Sequence, residues 1–237
     1  MNVFMNPRSG QESDWIGISD LMAGLMMIFL FVAICYMNSL QARERQIREI
    51  AMAYQQLQNE LFYDLYSEFR NDLAGWKAEI DRETLSVTFH EPEVLFEQGS
   101  STVSNRFQDI LMDFFPRYLR IMRSEKYRDR IEEIRIEGHT SSEWETDDDE
   151  ENAYILNMEL SQDRTRSVLK ICLDLIEDRK VRRWAQHLIT ANGLSSSRLV
   201  MTDEGMEDKE QSRRVEFRTK TASEKKIYEI IQKIKSS

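Results

Sequence analysis

From Leu21 to Met37 the chain reads LMAGLMMIFLFVAICYM, with no charge, no proline and a single glycine. Ile16 to Ser19 extend this run, and Trp15 stands before it as an interfacial aromatic. A helix crossing a bilayer needs roughly 20 predominantly apolar residues at about 1.5 Å rise each, so the pattern predicts a transmembrane helix over residues 15–37. The run is too long for the apolar core of a cleaved leader, and no small-residue cleavage site precedes Gln41-Ala42-Arg43. It is expected to remain as an N-terminal anchor behind a short polar tail, residues 1–14. A single span cannot build a channel by itself.

Past the span the period changes. Residues 38–75 hold no proline, and no glycine before Gly75. Leu40, Ile47, Tyr54 and Leu61 fall seven apart, with Ile50 and Leu57 three beyond Ile47 and Tyr54. Such a seam suits either a short parallel coiled coil or an amphipathic helix lying on its own domain. The coil is the preferred expectation, because a lone helix leaving a bilayer has little else to cover the seam. Arg43 before it and Asp64 and Glu68 after it would confine it to about two heptads. Leu65, Phe69 and Leu73 then recur at every fourth position, off that seam.

Residues 76–221 alternate between strand and helix patterns. Glu83 to Phe89 alternates as a strand, and Asn105 to Met122 carries helical spacing interrupted by Pro116. Ile134 to Glu137 is a second strand, and Leu156 to Leu175 a helix. Leu199–Thr202 and Val215–Thr219 read as short strands, and residues 222–237 as a C-terminal helix with Ile227, Ile230, Ile231 and Ile234 on one face. The fold class expected is α+β: one transmembrane helix, a helical connector over 38–75, and a βαβαβ sandwich over 76–221.

Net charge is −10 over 237 residues, which gives no general case for direct nucleic-acid binding. Cys35 falls in the span and Cys172 in a predicted helix, so the two are expected to stay unpaired. Asp20 is the one charged residue between Trp15 and Met37. A carboxylate at the bilayer centre costs about 2.5–3.5 kcal/mol on insertion scales, so an intramembrane Asp points to ion handling. The alternative is that Ser19-Asp20 caps the helix at the interface. Counting arginines, Arg8 against Arg43, Arg45 and Arg48, favours a cytoplasmic C-terminus.

Three segments in order resemble the OmpA-like peptidoglycan-binding domain. They are Val94-Leu95-Phe96 with Gly99-Ser100-Ser101; IRIEGHT (Ile134–Thr140) with Asn157-x-x-Leu160-Ser161-x-x-Arg164-Thr165-x-x-Val168; and Gly205-Met206-Glu207 with Ser212-Arg213-Arg214-Val215-Glu216. The resemblance implies a peptidoglycan-binding pocket for the diaminopimelate of a peptide stem, lined by Asn157, Leu160 and Arg164, with Thr140 at the strand end. A guanidinium fork, an Asn side chain and the free N–H groups of a helix start all suit a carboxylate. The sequence departs from the family at Ser141, where the family has an Asp that would face the ligand's amine. The following loop is longer than usual and carries Glu143, Glu145 and Asp147 to Glu151, which reads as a solvated acidic insert. Thr165 replaces an Ala and Ser212 an Asn.

Joined to the single span and its Asp, this domain resembles flagellar MotB, the ion-conducting stator subunit. The short tail, long connector and acidic insert resemble more closely the ZorB subunits of the Zorya anti-phage defence systems. The resemblance implies that Asp20 accepts a translocated H+ or Na+ and that the chain forms a self-dimer beside a multi-span MotA/ZorA-like membrane subunit. It also implies a cytoplasmic N-terminus and a periplasmic C-terminal domain in the bacterial inner membrane, against the arginine count. No enzyme activity, bound cofactor or metal is expected. A flagellar stator and a passive peptidoglycan-anchoring scaffold are the alternatives.

Overall fold

The computed structural model describes residues 9–90, 95–96, 100–144 and 150–222. Residues 1–8 of the tail, Val94 and Gly99 of the first motif, residues 145–149 of the acidic insert and all but the start of the C-terminal helix lie outside the described residues. The chain divides into two compact units between Met52 and Ala53.

The first unit is the N-terminal part of helix α1 (Ser9–Phe69), which begins within the stretch read as a polar tail. Leu21, Met26, Met27, Phe29 and Phe31 are all more than two-thirds exposed, and apolar side chains project on every side of it. A helix that is apolar all round needs an apolar solvent, and this one is long and apolar enough to cross a membrane.

The second unit takes up α1 from Ala53. Leu57, Leu61, Leu65 and Phe69 are buried in its core, Leu61, Leu65 and Phe69 completely. This corrects the coiled-coil expectation at its last two positions. Leu57 and Leu61 share a face with Leu65 and Phe69, and that face packs on the domain, with the Phe69 and Phe114 rings 5.2 Å apart. The charges that were expected to end the coil are docking groups instead. Asp64 accepts hydrogen bonds from Tyr127 Oη (2.6 Å) and Lys126 Nζ (2.9 Å). Glu68 accepts from Arg117 Nε (2.8 Å) and Arg120 (3.0 Å).

A turn at residues 70–72 leads into α2 (Leu73–Trp76). The hairpin β1 (Ala78–Asp81) and β2 (Ser86–Phe89) follows, and its turn is held by Asp81, whose Oδ1 accepts the N–H groups of Glu83 and Thr84. Helix α3 (Asn105–Met122) is capped by Ser104 and runs unbroken through Pro116. An interior proline costs about 3 kcal/mol. Here Phe107, Phe114, Phe115 and Tyr118, all fully buried, hold the helix on the sheet and outweigh it.

The remaining elements are β3 (Ile131–His139), α4 (Glu150–Asp174), α5 (Arg179–Leu188), β4 (Ile189–Gly193), α6 (Lys209–Ser212) and β5 (Arg214–Thr221). The sheet order is β1-β2-β5-β3-β4. β3 and β4 are parallel, joined across α4 and α5, and every other pairing is antiparallel. The α+β class holds. The segment Leu199–Thr202 is not a strand; Met201 forms one isolated bridge to Glu207. β1, β4 and α5 had no counterpart in the sequence reading, since AEID and ITANG are short and weakly alternating.

Period-two alternation sorts β5 cleanly. Val215, Phe217, Thr219 and Thr221 point into the core, while Arg214, Glu216 and Arg218 face the other side. Phe217 meets Phe114 at 5.1 Å and Phe89 at 6.0 Å. Where β3 and β4 end, Gly138 pairs with Gly193. A Cβ on Gly138 would sit 2.6 Å from the Thr165 methyl, and one on Gly193 would sit 2.3 Å from the Gln162 amide nitrogen. The two glycines let α4 lie directly against the strand ends, which fixes where Ser161 and Arg164 stand.

Candidate functional site

Arg164 projects from α4 toward the ends of β3 and β5, where it lines a small cleft with Phe96, Gly138, His139, Arg214 and Val215. Its Nε donates to the Ser100 carbonyl at 3.0 Å, and its guanidinium lies 4.8 Å above the Phe96 ring. Burial and the neighbouring Arg213 pull its pKa down to about 10. A guanidinium in that position, stacked on one side and desolvated, favours a carboxylate that approaches in its plane.

The other motif residues stand around the same strand end in different roles. Asn157 is buried, and its Nδ2 donates to the Glu143 carbonyl at 3.1 Å, pinning the start of the acidic loop to α4. Thr140, just past β3, is buried; its N–H donates to the Ser195 carbonyl at 3.0 Å, and its Oγ1 has no hydrogen-bond partner among the described residues. Leu160 is half-buried on α4. Of the four, Arg164 lines the cleft. Ser161 and Gln162 of the same motif complete the seat: Ser161 Oγ accepts the Ser195 N–H at 3.1 Å, and Gln162 Oε1 accepts the Gly193 N–H at 2.7 Å.

Sequence reasoning missed two features here. The Glu207 carboxylate accepts the Ser142 N–H at 3.0 Å and the Ser142 hydroxyl. It thereby brings a negative charge to the loop next to Ser141. On the outer face of the sheet, Glu137, His139 and Glu216 place ligand-type atoms within 4.8 Å of one another, which is a candidate metal cluster by geometry. The charge count argues against a cation there. Arg198 reaches Glu137 at 3.1 Å and Arg214 reaches Glu216 at 2.7 Å, with Arg135 and Arg218 at 3.8 and 4.0 Å from Glu137. Four guanidiniums against three carboxylates, since Arg135 also pairs with Glu133 at 2.8 Å, leave the cluster net positive, and a metal would have to displace them. His139 stays neutral, its pKa pushed down to about 3 by burial and by Arg214, Arg198 and Arg218. Alternation of Glu137 with His139, and of Arg214 with Glu216 and Arg218, was the available signal.

Asp20 lies well inside α1, which begins at Ser9, so the N-cap reading is overturned. It is exposed on the apolar helix, on the side that carries Trp15, Ser19 and Ala23.

A membrane-length helix carrying one carboxylate, followed in sequence by a mixed-sheet domain with an arginine-lined cleft, defines an anchored binding protein. No family model matches the chain. The Zorya protein ZorB of Escherichia coli Crooks is 42% identical over 227 residues, 95% of this chain and 96% of that one. ZorB of a second Escherichia coli strain is 26% identical over 210 residues, 86% of this chain and 78% of that one. Among solved structures, a MotB-like protein from Desulfovibrio vulgaris is 22% identical with a TM-score of 0.48, covering 74% of this chain and 95% of that one. The chain belongs to the ZorB family of Zorya proteins.

Proposed function

We propose that the chain is the MotB-like subunit of an ion-driven inner-membrane motor complex in anti-phage defence, held to peptidoglycan by its C-terminal domain. The observation that carries the motor reading is Asp20, the one charged residue of an apolar helix that is otherwise free of charge from Trp15 to Met37. A passive anchor needs no such group, because the carboxylate makes insertion less favourable by about 2.5–3.5 kcal/mol at the bilayer centre. Taking up an ion from one side neutralises Asp20, and releasing it to the other restores the charge. One charge moved through the membrane potential yields about 2.3 kcal/mol per 100 mV, enough over a few charges to step a partner subunit.

A multi-span MotA/ZorA-like partner would surround the span of a self-dimer, with the N-terminus cytoplasmic and the C-terminal domain periplasmic. A wall-binding domain has its ligand only on that side, which is why this orientation is preferred to the one that Arg43, Arg45 and Arg48 favour. Arg164 would receive a carboxylate of the peptide stem. The protein then acts as a transducer rather than an enzyme. Asp20→Asn, expressed with its native neighbouring genes, is expected to reach normal membrane levels and to lose phage protection. Full protection by that variant would overturn the motor reading.

A further inference from the structure

We propose that Phe96 is a positioning residue for Arg164: with the Ser100 carbonyl it fixes the guanidinium so that a wall-peptide carboxylate is received end-on, by Nη1 and Nη2. This rests on the wall-binding reading and adds to it the residue that aims the arginine and the edge that is used. A guanidinium is planar, and a carboxylate can dock side-on through Nε and one Nη, or end-on through both Nη atoms. Here Nε already donates to the Ser100 carbonyl at 3.0 Å, which closes the side-on edge. The Phe96 ring covers one face, its centroid 4.8 Å from the guanidinium carbon. Among the described residues, neither Nη atom meets an acceptor and Arg164 pairs with no carboxylate. Arg214 lines the same cleft but is held by Glu216 at 2.7 Å, which leaves Arg164 open to a ligand.

Phe96 can aim another side chain because it is itself held. It is 3% exposed, and its ring stands edge-on to Phe107 at 6.1 Å. Its backbone bridges Val103, and the neighbouring Leu95 carbonyl accepts the Ser104 N–H at 3.0 Å. Ser104 in turn caps α3, so the stack ties Arg164 of α4 to the segment that enters α3. A long, flexible side chain ordered before its ligand arrives has less freedom to lose on binding. A leucine at position 96 would fill apolar space but offer no π face to the cation.

The test uses the full-length chain in detergent and purified peptidoglycan sacculi, either native or with their carboxylates amidated. Wild type is expected to be retained far better on native sacculi. Phe96→Leu should bind native sacculi about threefold to thirtyfold more weakly, the loss of one desolvated cation–π contact. Phe96→Tyr, which keeps the ring face, should bind as wild type, and thermal melts should show each variant folded. In an Arg164→Gln background Phe96→Leu should weaken binding no further, because no guanidinium is left to aim. Arg164→Lys should recover little, since an ammonium has neither a plane nor an edge. Wild-type binding by Phe96→Leu would overturn the proposal and leave the wall reading standing. An equal loss from Phe96→Leu with and without Arg164 would reduce Phe96 to a packing role and overturn it as well. Full recovery by Arg164→Lys would show that a point charge suffices and overturn the end-on edge. Wild type binding native and amidated sacculi alike would keep the wall reading and remove the carboxylate that the proposal needs. Wild type binding neither would overturn the wall reading together with the proposal.

Discussion

His139 should make the folded domain sensitive to mild acid, and the size of the effect follows from its surroundings. The residue is 4% exposed, and among the described residues neither ring nitrogen has a hydrogen-bond partner. Two influences oppose each other at this position. Glu216 Oε1 lies 3.5 Å from Nε2 and favours the imidazolium, but that carboxylate is already engaged by Arg214 at 2.7 Å. Burial and the Arg214, Arg198 and Arg218 charges disfavour it, and they dominate, taking the pKa from 6.5 to about 3. The unfolded chain therefore binds a proton below about pH 6.5 that the folded domain refuses until far lower pH, so stability is full above that point and falls as pH drops. The limiting slope is about 1.4 kcal/mol per pH unit, which gives a loss of about 2 kcal/mol between about pH 7 and pH 5. Carboxylates elsewhere titrate in the same range, so the informative quantity is the difference between wild type and His139→Gln. Urea unfolding of the detergent-solubilised protein, followed by tryptophan fluorescence, should show the two stability curves converging by about 2 kcal/mol over that interval. Parallel curves would mean that the imidazole protonates freely in the folded state and that the pull of Glu216 outweighs burial.

Further expectations concern packing. Leu61→Ala should destabilise the C-terminal unit by about 2–5 kcal/mol in the same urea assay, because the side chain is fully buried; a loss under about 1 kcal/mol would return Leu61 to an inter-helix seam. Arg117→Ala removes hydrogen bonds to Glu68, Asp72 and Asp113 and uncovers the Phe69 ring, 4.9 Å from the guanidinium. A loss of roughly 2–3 kcal/mol is expected, and a neutral result would show these carboxylates to be solvated without it. Gly193→Ala drives a Cβ into the Gln162 backbone at 2.3 Å and should cost more than about 3 kcal/mol or abolish soluble expression of the folded unit.

The strongly patterned elements were legible in the sequence. The apolar run of α1, the long helices α3 and α4, and the strands β2, β3 and β5 all carry periods that simple counting finds. The seam from Ile47 to Leu61 shows what counting cannot decide. Heptad spacing is blind to which surface covers it, and here Leu57 and Leu61 are covered by the chain's own domain. Arg164 was reachable through its motif, and its cleft holds Arg214 and His139 from neighbouring motif segments. The role of Glu207 depends on which side of a loop it falls, and motif spacing alone does not give that. Its signal was proximity to Ser141 across a long loop.

The tight seat of α4 on the strand ends has a consequence for how this family can vary. The space above Gly138 is filled by the Thr165 methyl at 2.6 Å and by the Ser161 carbonyl at 3.0 Å. The first of these is a side-chain obstacle that a smaller residue at 165 would remove; the second is backbone and stays. Gly193 faces the backbone of Gln162 and the Ser161 hydroxyl, so no single exchange on α4 frees it. The two paired glycines should therefore behave differently under a saturation screen. Position 193 should be refractory in every background. Position 138 should accept alanine poorly on its own and noticeably better when Thr165 is first reduced to alanine, an epistatic pair whose sign is set by one methyl group.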